Sequence, residues 1–207
     1  MRYLQLIADT ARAVNITITD DQRERLARYV DLVFKWQRIT NLIGPSTPSE
    51  FITQHIADCL VVAPFVRGTR LADIGSGAGL PGVVLACICP ELVIALVEAR
   101  GKRARFLQQV QIELALNVQV IEARVEAWLP AVSPDTIVCR ALSSLQDIVG
   151  LTRGVHASGA RLLVMKGQDP APEIAALAAP HLAIRSERLV VPGWETRHLV
   201  IMDRTSP

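Results

Sequence analysis

The chain has 207 residues, 50% hydrophobic and 20% charged, with a formal net charge of +2 at pH 7. That length fits one domain with a helical extension, and no apolar run reaches the roughly 18 residues needed to cross a bilayer. Met1 to Ile16 mixes Arg2, Asp9, Arg12 and Asn15 with apolar residues, unlike a signal peptide. Cys59, Cys87, Cys89 and Cys139 sit in apolar stretches without the second Cys or His pair of a zinc site. A cytoplasmic protein with buried, reduced thiols, no metal and no membrane association is expected.

Residues 3–14 read as a short helix. Thr19-Asp20-Asp21-Gln22 is a capping-box pattern that opens a second one. Its stripe of Leu26, Tyr29, Val30, Val33, Trp36 and Ile39 has helical spacing and predicts core packing. After the loop Asn41 to Ser46, Thr47-Pro48-Ser49-Glu50 caps a third helix with proline at its first position. That helix turns Phe51, Ile52, Ile56, Leu60 and Val61 inward, and His55 and Asp58 on one of its faces are expected to share a buried hydrogen bond.

From Arg70, strands over 70–74, 93–98, 118–122, 135–140 and 160–166 alternate with helices over 81–89, 101–116, 144–152 and 171–179. Two last strands, near 184–191 and 197–203, flank Pro192-Gly193 with no room for a helix, so they pair as a hairpin. The pattern predicts an α/β fold: a seven-stranded, mostly parallel sheet with helices on both faces and one antiparallel strand. Residues 1–69 are expected to be an N-terminal helical extension packed on the sheet, and residues 70–207 the core.

The first strand ends at Asp73-Ile74 and runs into Gly75-Ser76-Gly77-Ala78-Gly79-Leu80-Pro81-Gly82. Glycines at alternate positions let the backbone curl and approach a ligand without Cβ interference. Gly75, Gly77, Gly79 and Leu80 are therefore candidate cofactor contacts. Asp73 before the first glycine, with Glu98 ending the next strand, favours S-adenosylmethionine over a dinucleotide, because its sulfonium is cationic and it has no pyrophosphate.

In open parallel sheets ligands sit at the carboxyl ends of the strands. Asp73, Glu98, Glu122 to Glu126, Arg140 and Lys166 all fall at such ends. Glu98 offers acceptors to a ribose diol, or else pairs with Lys102 or Arg103. Asp73 ties down N–H groups of the turn and faces the ligand. Val125 and Glu126 are placed to hold an adenine ring, unless Glu126 is only a charge at a helix N-terminus. Arg140 puts a guanidinium at the mouth, suited to guanine O6 and N7 or to phosphate; the alternative is a salt bridge to Glu126 or Asp73. Cys139 is discounted as a nucleophile, because strand alternation turns it to the face opposite Arg140. Arg100, Lys102, Arg103 and Arg105 form either a nucleic-acid patch or a solvated helix face.

With these residues in view, the chain resembles the bacterial 16S ribosomal RNA guanine-N7 methyltransferase family, also called glucose-inhibited division protein B. The resemblance rests on Asn41-Leu42, His55-Ile56-Ala57-Asp58, Asp73 through Gly82, Gly101-Lys102-Arg103, Arg124-Val125-Glu126, Arg140-Ala141, Lys166-Gly167 and Arg197-His198. It implies a class I, Rossmann-like S-adenosylmethionine-dependent methyltransferase fold with a helical N-terminal extension. The implied reaction is methylation of N7 of one guanine in a conserved loop of the small-subunit rRNA. Carried over by motif position, Gly75, Leu80, Val125, Glu126 and Arg140 contact the cofactor, and Arg140 also positions the transfer site. Arg103, Arg105, Lys166 and Arg197 are expected to meet RNA. Glu98 stands where many relatives have Asp, and Cys59 and Cys139 where serine is common. N7 carries a lone pair and needs no deprotonation, so no general base is expected. The expected partner is 16S rRNA or the small subunit, with no obligate protein partner. Read from the residues alone, a methyltransferase for another RNA guanine, an NAD-binding oxidoreductase and an RNA-binding assembly factor stay open.

Overall fold

In the computed structural model, residues 3–156 and 159–205 are described. Arg2 and the outermost residues of the two expected units lie outside them. The chain opens with α1 (Leu4–Ala13) and α2 (Asp20–Gln37). The capping box of α2 forms as expected: Thr19 Oγ1 accepts from the Gln22 N–H and Gln22 Oε1 from the Thr19 N–H, at 3.3 and 2.8 Å. Leu26, Tyr29, Val30 and Val33 are buried, and half-buried Trp36 packs its ring 5.7 Å from that of Phe106. Ile39 departs from the stripe at 72% exposure, because α2 ends at Gln37 and the helical period stops with it.

The third helix comes in three pieces: α3 (Pro48–Glu50), a π-helical turn (Phe51–Ile56) and α4 (Ala57–Leu60). Phe51, Ile52, Ile56 and Leu60 are buried, whereas Val61, just past the helix end, is half-buried. A π turn inside a helix resets the direction of the side chains around it, and such turns recur at functional sites. Here it carries His55.

The strands are β1 (Arg70–Ile74), β2 (Val93–Val97), β3 (Val118–Ile121), β4 (Thr136–Arg140), β5 (Arg161–Lys166), β6 (Leu182–Arg188) and β7 (His198–Arg204). They form one seven-stranded sheet in the order β3-β2-β1-β4-β5-β7-β6. The pairs from β3 to β5 are parallel, and β7 is antiparallel to both β5 and β6, as the hairpin pattern predicts. The intervening helices are α5 (Gly82–Ile88), α6 (Gly101–Leu114), α7 (Leu145–Leu151), α8 (Arg153–His156) and α9 (Ala171–Ala176).

Strand alternation sorts the core into two layers. Leu71, Leu96, Val138, Leu163, Leu199 and Ile201 face α1 to α6. Ala72, Ile137, Cys139, Leu162, Val164 and Val200 face the other way, onto Leu145, Ile148 and Val155. Helices therefore cover both faces, as expected. The N-terminal helices share the first layer with the sheet, and the buried Tyr29 hydroxyl donates to the Ala78 carbonyl at 2.6 Å, joining α2 to the glycine turn. No helix among the described residues is long and apolar enough to cross a membrane.

Candidate active site

The glycine turn hangs from the neighbouring strand. The Gly75 and Ser76 N–H groups both donate to the Val97 carbonyl, at 2.9 and 3.2 Å. Gly75, Gly77 and Gly79 have φ of +74°, +58° and +93°, a region that costs an L side chain roughly 1–2 kcal/mol. Their surroundings differ. A Cβ on Gly79 would collide with Val83 and one on Gly75 would come within 2.8 Å of Leu142, so those two serve packing. A Cβ on Gly77 would meet nothing closer than 3.7 Å, so its missing side chain leaves an open concavity.

Glu98 is 5% exposed, and its carboxylate reaches back into this turn. One oxygen accepts the Gly77 N–H at 2.9 Å and the other the Arg100 N–H at 2.8 Å. Neither of the alternative partners considered from sequence, Lys102 or Arg103, bonds it. Each oxygen keeps a second lone pair, which is what a ribose diol would need. Asp73 lies deeper. It is fully buried, with Oδ2 accepting the Gly82 N–H at 2.9 Å and Oδ1 without a partner. Burial pushes its carboxyl up to about 7. It ties down the turn as expected, but through the start of α5 on the covered face of β1, so it does not line the mouth. The open side of Gly77 and the spare acceptors of Glu98 fit the ribose of a nucleoside. Leu80 is half-buried beside this turn; Val125 is buried in a 3₁₀ turn (Val125–Ala127), where the Glu126 side chain is exposed.

Arg140 takes an unexpected set of partners. It is on the α3–α4 face of β4, with its side chain 15% exposed. It donates from Nη2 to His55 Nδ1 at 2.7 Å, reaches Cys59 Sγ at 3.6 Å and pairs with Asp58 at 3.5 Å. The salt-bridge alternatives named from sequence, Glu126 and Asp73, are not its ion-pair partners. The expected His55–Asp58 hydrogen bond is corrected as well: the guanidinium stands between them and engages both. Asp58 also pairs with Arg197 at 3.2 Å, and Arg197 stacks over the Trp194 ring at 3.5 Å from its centroid. Burial pushes Asp58 up, against the pull of the two arginines. Burial, and then Arg140 and Arg197, push His55 down to about 4, so its ring is neutral and Nδ1 accepts. Trp194 was not singled out from sequence; a tryptophan right after the Pro192-Gly193 turn was the available signal.

Cys139 faces the opposite layer, and burial pushes its thiol well up, so it offers no thiolate to the mouth. Cys59 is pushed up to about 12. Among the described residues no cluster of His, Cys, Asp and Glu is suited to a metal ion.

Arg103 donates to the Asn41 carbonyl at 3.4 Å and approaches the open side of Gly77, with Nη1 3.8 Å from the position of the missing Cβ. It shares a cleft of about 460 Å³ with Arg38, Asn41, Arg100 and Lys102. Arg105 is exposed and does not line this cleft. Lys166 is held by Glu173 at 2.7 Å and contacts the Ser143 carbonyl, so an RNA phosphate would have to displace that carboxylate.

A family model described as GidB, rRNA small subunit methyltransferase G, matches residues 22–200. The chain belongs to this family. A relative from Pseudomonas syringae pv. tomato, named Ribosomal RNA small subunit methyltransferase G, is 40% identical over 99% of this chain and 98% of its own length. One of the same name from Salmonella agona is 41% identical over 96% of this chain and 95% of its own. Among solved structures, the O-methyltransferase TomG from Streptomyces achromogenes, in complex with SAM, matches with a TM-score of 0.61, covering all of both chains at 13% identity. TrmN from Thermus thermophilus matches with a TM-score of 0.57, 18% identity, 87% of this chain and 53% of its own. These two likenesses concern the fold. In this chain a Rossmann-like methyltransferase sheet is thus joined to the turn and the charged cluster described above.

Proposed function

We propose that this chain is an S-adenosylmethionine-dependent methyltransferase acting on N7 of a specific guanine in a conserved loop of 16S rRNA. The observation that carries it is the Glu98-anchored glycine turn beside the Arg140 cluster, in a chain of the small-subunit rRNA methyltransferase G family. When bound, the cofactor supplies a methyl group on a positively charged sulfur. Gly77 and Leu80 would line its seat in a turn whose curl Gly75 and Gly79 allow, Glu98 would take the ribose, and Val125 and Glu126 would flank the adenine. Asp73 supports them by holding the turn to α5.

Guanine N7 has an available lone pair, so the protein's task is alignment rather than proton removal. Arg140 and Arg197, oriented by Asp58 and His55, are assigned to hold the base or its phosphate at the mouth. Arg103 and Arg105 are assigned to the RNA backbone, with Lys166 joining only if released from Glu173. Residues 1–69 would act as a helical extension that shapes the mouth on the sheet formed by residues 70–207. The reading places the protein in the cytoplasm, with 16S rRNA or the small subunit as its partner and no obligate protein partner. Labelled methyl transfer to small subunits from a strain lacking the protein, followed by nucleoside analysis, should give 7-methylguanosine. Another methylated nucleoside, or no transfer, would overturn this reading.

A further inference from the structure

A second cluster of basic side chains lies at the other end of the sheet, on the α7–α9 side. A cavity of about 530 Å³ opens there between α7, α8, the residue before β6 and the end of β7. Arg153, His156, His181 and Arg204 line it, with no carboxylate among the described residues of its lining. His156 is 4% exposed, yet its Nε2 is buried and has no hydrogen-bond partner. The Ala160 backbone favours the charged form of the ring.

This is a poor arrangement without a ligand. Burial, then Arg204 and His181, oppose a charge on His156, and the facing carboxylate, Asp203, is already paired with Arg161 and Arg67. A tetrahedral oxyanion relieves all of this at once. Its oxygens accept from guanidinium forks, and its charge lets His156 protonate so that Nε2 becomes a donor instead of an orphan. We propose that Arg153, His156, His181 and Arg204 form a phosphate-binding pocket separate from the methyl-transfer site. The phosphate belongs either to the RNA backbone or to a free or small phosphorylated ligand.

The test uses full-length protein with isotope-labelled histidine rings and inorganic phosphate, added at constant ionic strength. The His156 signal is identified by its disappearance in His156→Gln or, should that variant not fold, by elimination after replacing His55, His181 and His198. Phosphate should shift the His156 and His181 rings saturably and move the His156 titration to higher pH. The surface variant Arg153→Gln/Arg204→Gln should abolish saturation. If the RNA backbone fills the pocket, that variant also flattens the salt dependence of 16S rRNA binding, by about 0.7 in slope for each phosphate no longer neutralised. Saturable shifts with an unchanged slope identify the free or small ligand. Ring signals unmoved by phosphate, together with an unchanged slope, overturn the proposal.

Discussion

Glu98 shows how one carboxylate can shape a turn and still serve a ligand. Its two bonds to the Gly77 and Arg100 N–H groups fix the curl that leaves the Gly77 side open. Glu98→Ala should therefore weaken cofactor binding by about 1.5–3 kcal/mol, the scale for a hydrogen bond to a charged group. Calorimetry on the folded variant checks this, and unchanged affinity removes the ribose assignment. His55 gives a second prediction. Its ordinary value of 6.5 is pushed down to about 4 by burial and the two arginines, so the folded state binds fewer protons than the unfolded one between those values. The neutral ring's contribution is full above pH 6.5 and is lost as pH falls toward 4. The melting-temperature advantage of the wild type over His55→Gln should accordingly shrink across that window; a constant difference would mean the ring is not held neutral. The chemical step is expected to lack a base-limited slope from about pH 6.5 to 8.5, a window set around histidine titration. His55 is neutral throughout, Cys139 stays a thiol, and Asp73 is sealed from the mouth. Single-turnover rates at saturating RNA and cofactor test this, and a slope near one in log rate against pH would contradict N7 attack.

At the scale of elements, the strand-turn-helix unit from β1 to α5 separates packing glycines from a ligand-facing one. Gly79→Ala should fail to fold stably, because the new methyl meets Val83 as well as a φ of +93°. Gly77→Ala carries the φ penalty of about 1–2 kcal/mol but no collision, so it should fold and lose cofactor affinity instead. Thermal melts paired with calorimetry separate the two, and equal melting temperatures would show that Gly79 is not packed as described. The π turn before α4 has a comparable role on the other wall. It carries His55 just ahead of Asp58, and Arg140 reaches both from β4.

At the scale of the whole molecule, one concentration of positive charge lies at the cleft beside Gly77, where α2 ends and α6 begins. A net charge of +2 alone gives no such direction. Neutralising Arg103 and Arg105 with glutamine should weaken RNA binding and lower its salt slope, by about 0.7 per phosphate contact on a single strand. An unchanged slope of log affinity against log salt would make the cluster a solvated helix face. The separate charges of Arg103 and Arg105 divide this further, since only Arg103 lines the cleft.

The strand and helix order, the two capping boxes and the closing hairpin were legible in the sequence because each is a local pattern: a period, a cap, a proline-glycine turn. The glycine turn and Glu98 were legible for the same reason, since they follow strand ends. Partner choice was not. Arg140 faces α3 and α4 because alternation along β4 sets its side and a separate helix supplies Asp58 and His55, eighty-two and eighty-five residues away in sequence respectively. Likewise, Lys166 is occupied by Glu173, Asp73 is buried by α5, and Trp194 meets Arg197 only when the loop before β7 folds back. Local sequence decides which groups reach a strand end. Which charge meets which is decided by long-range packing, because burial and the approach of distant side chains set the energy of every pair.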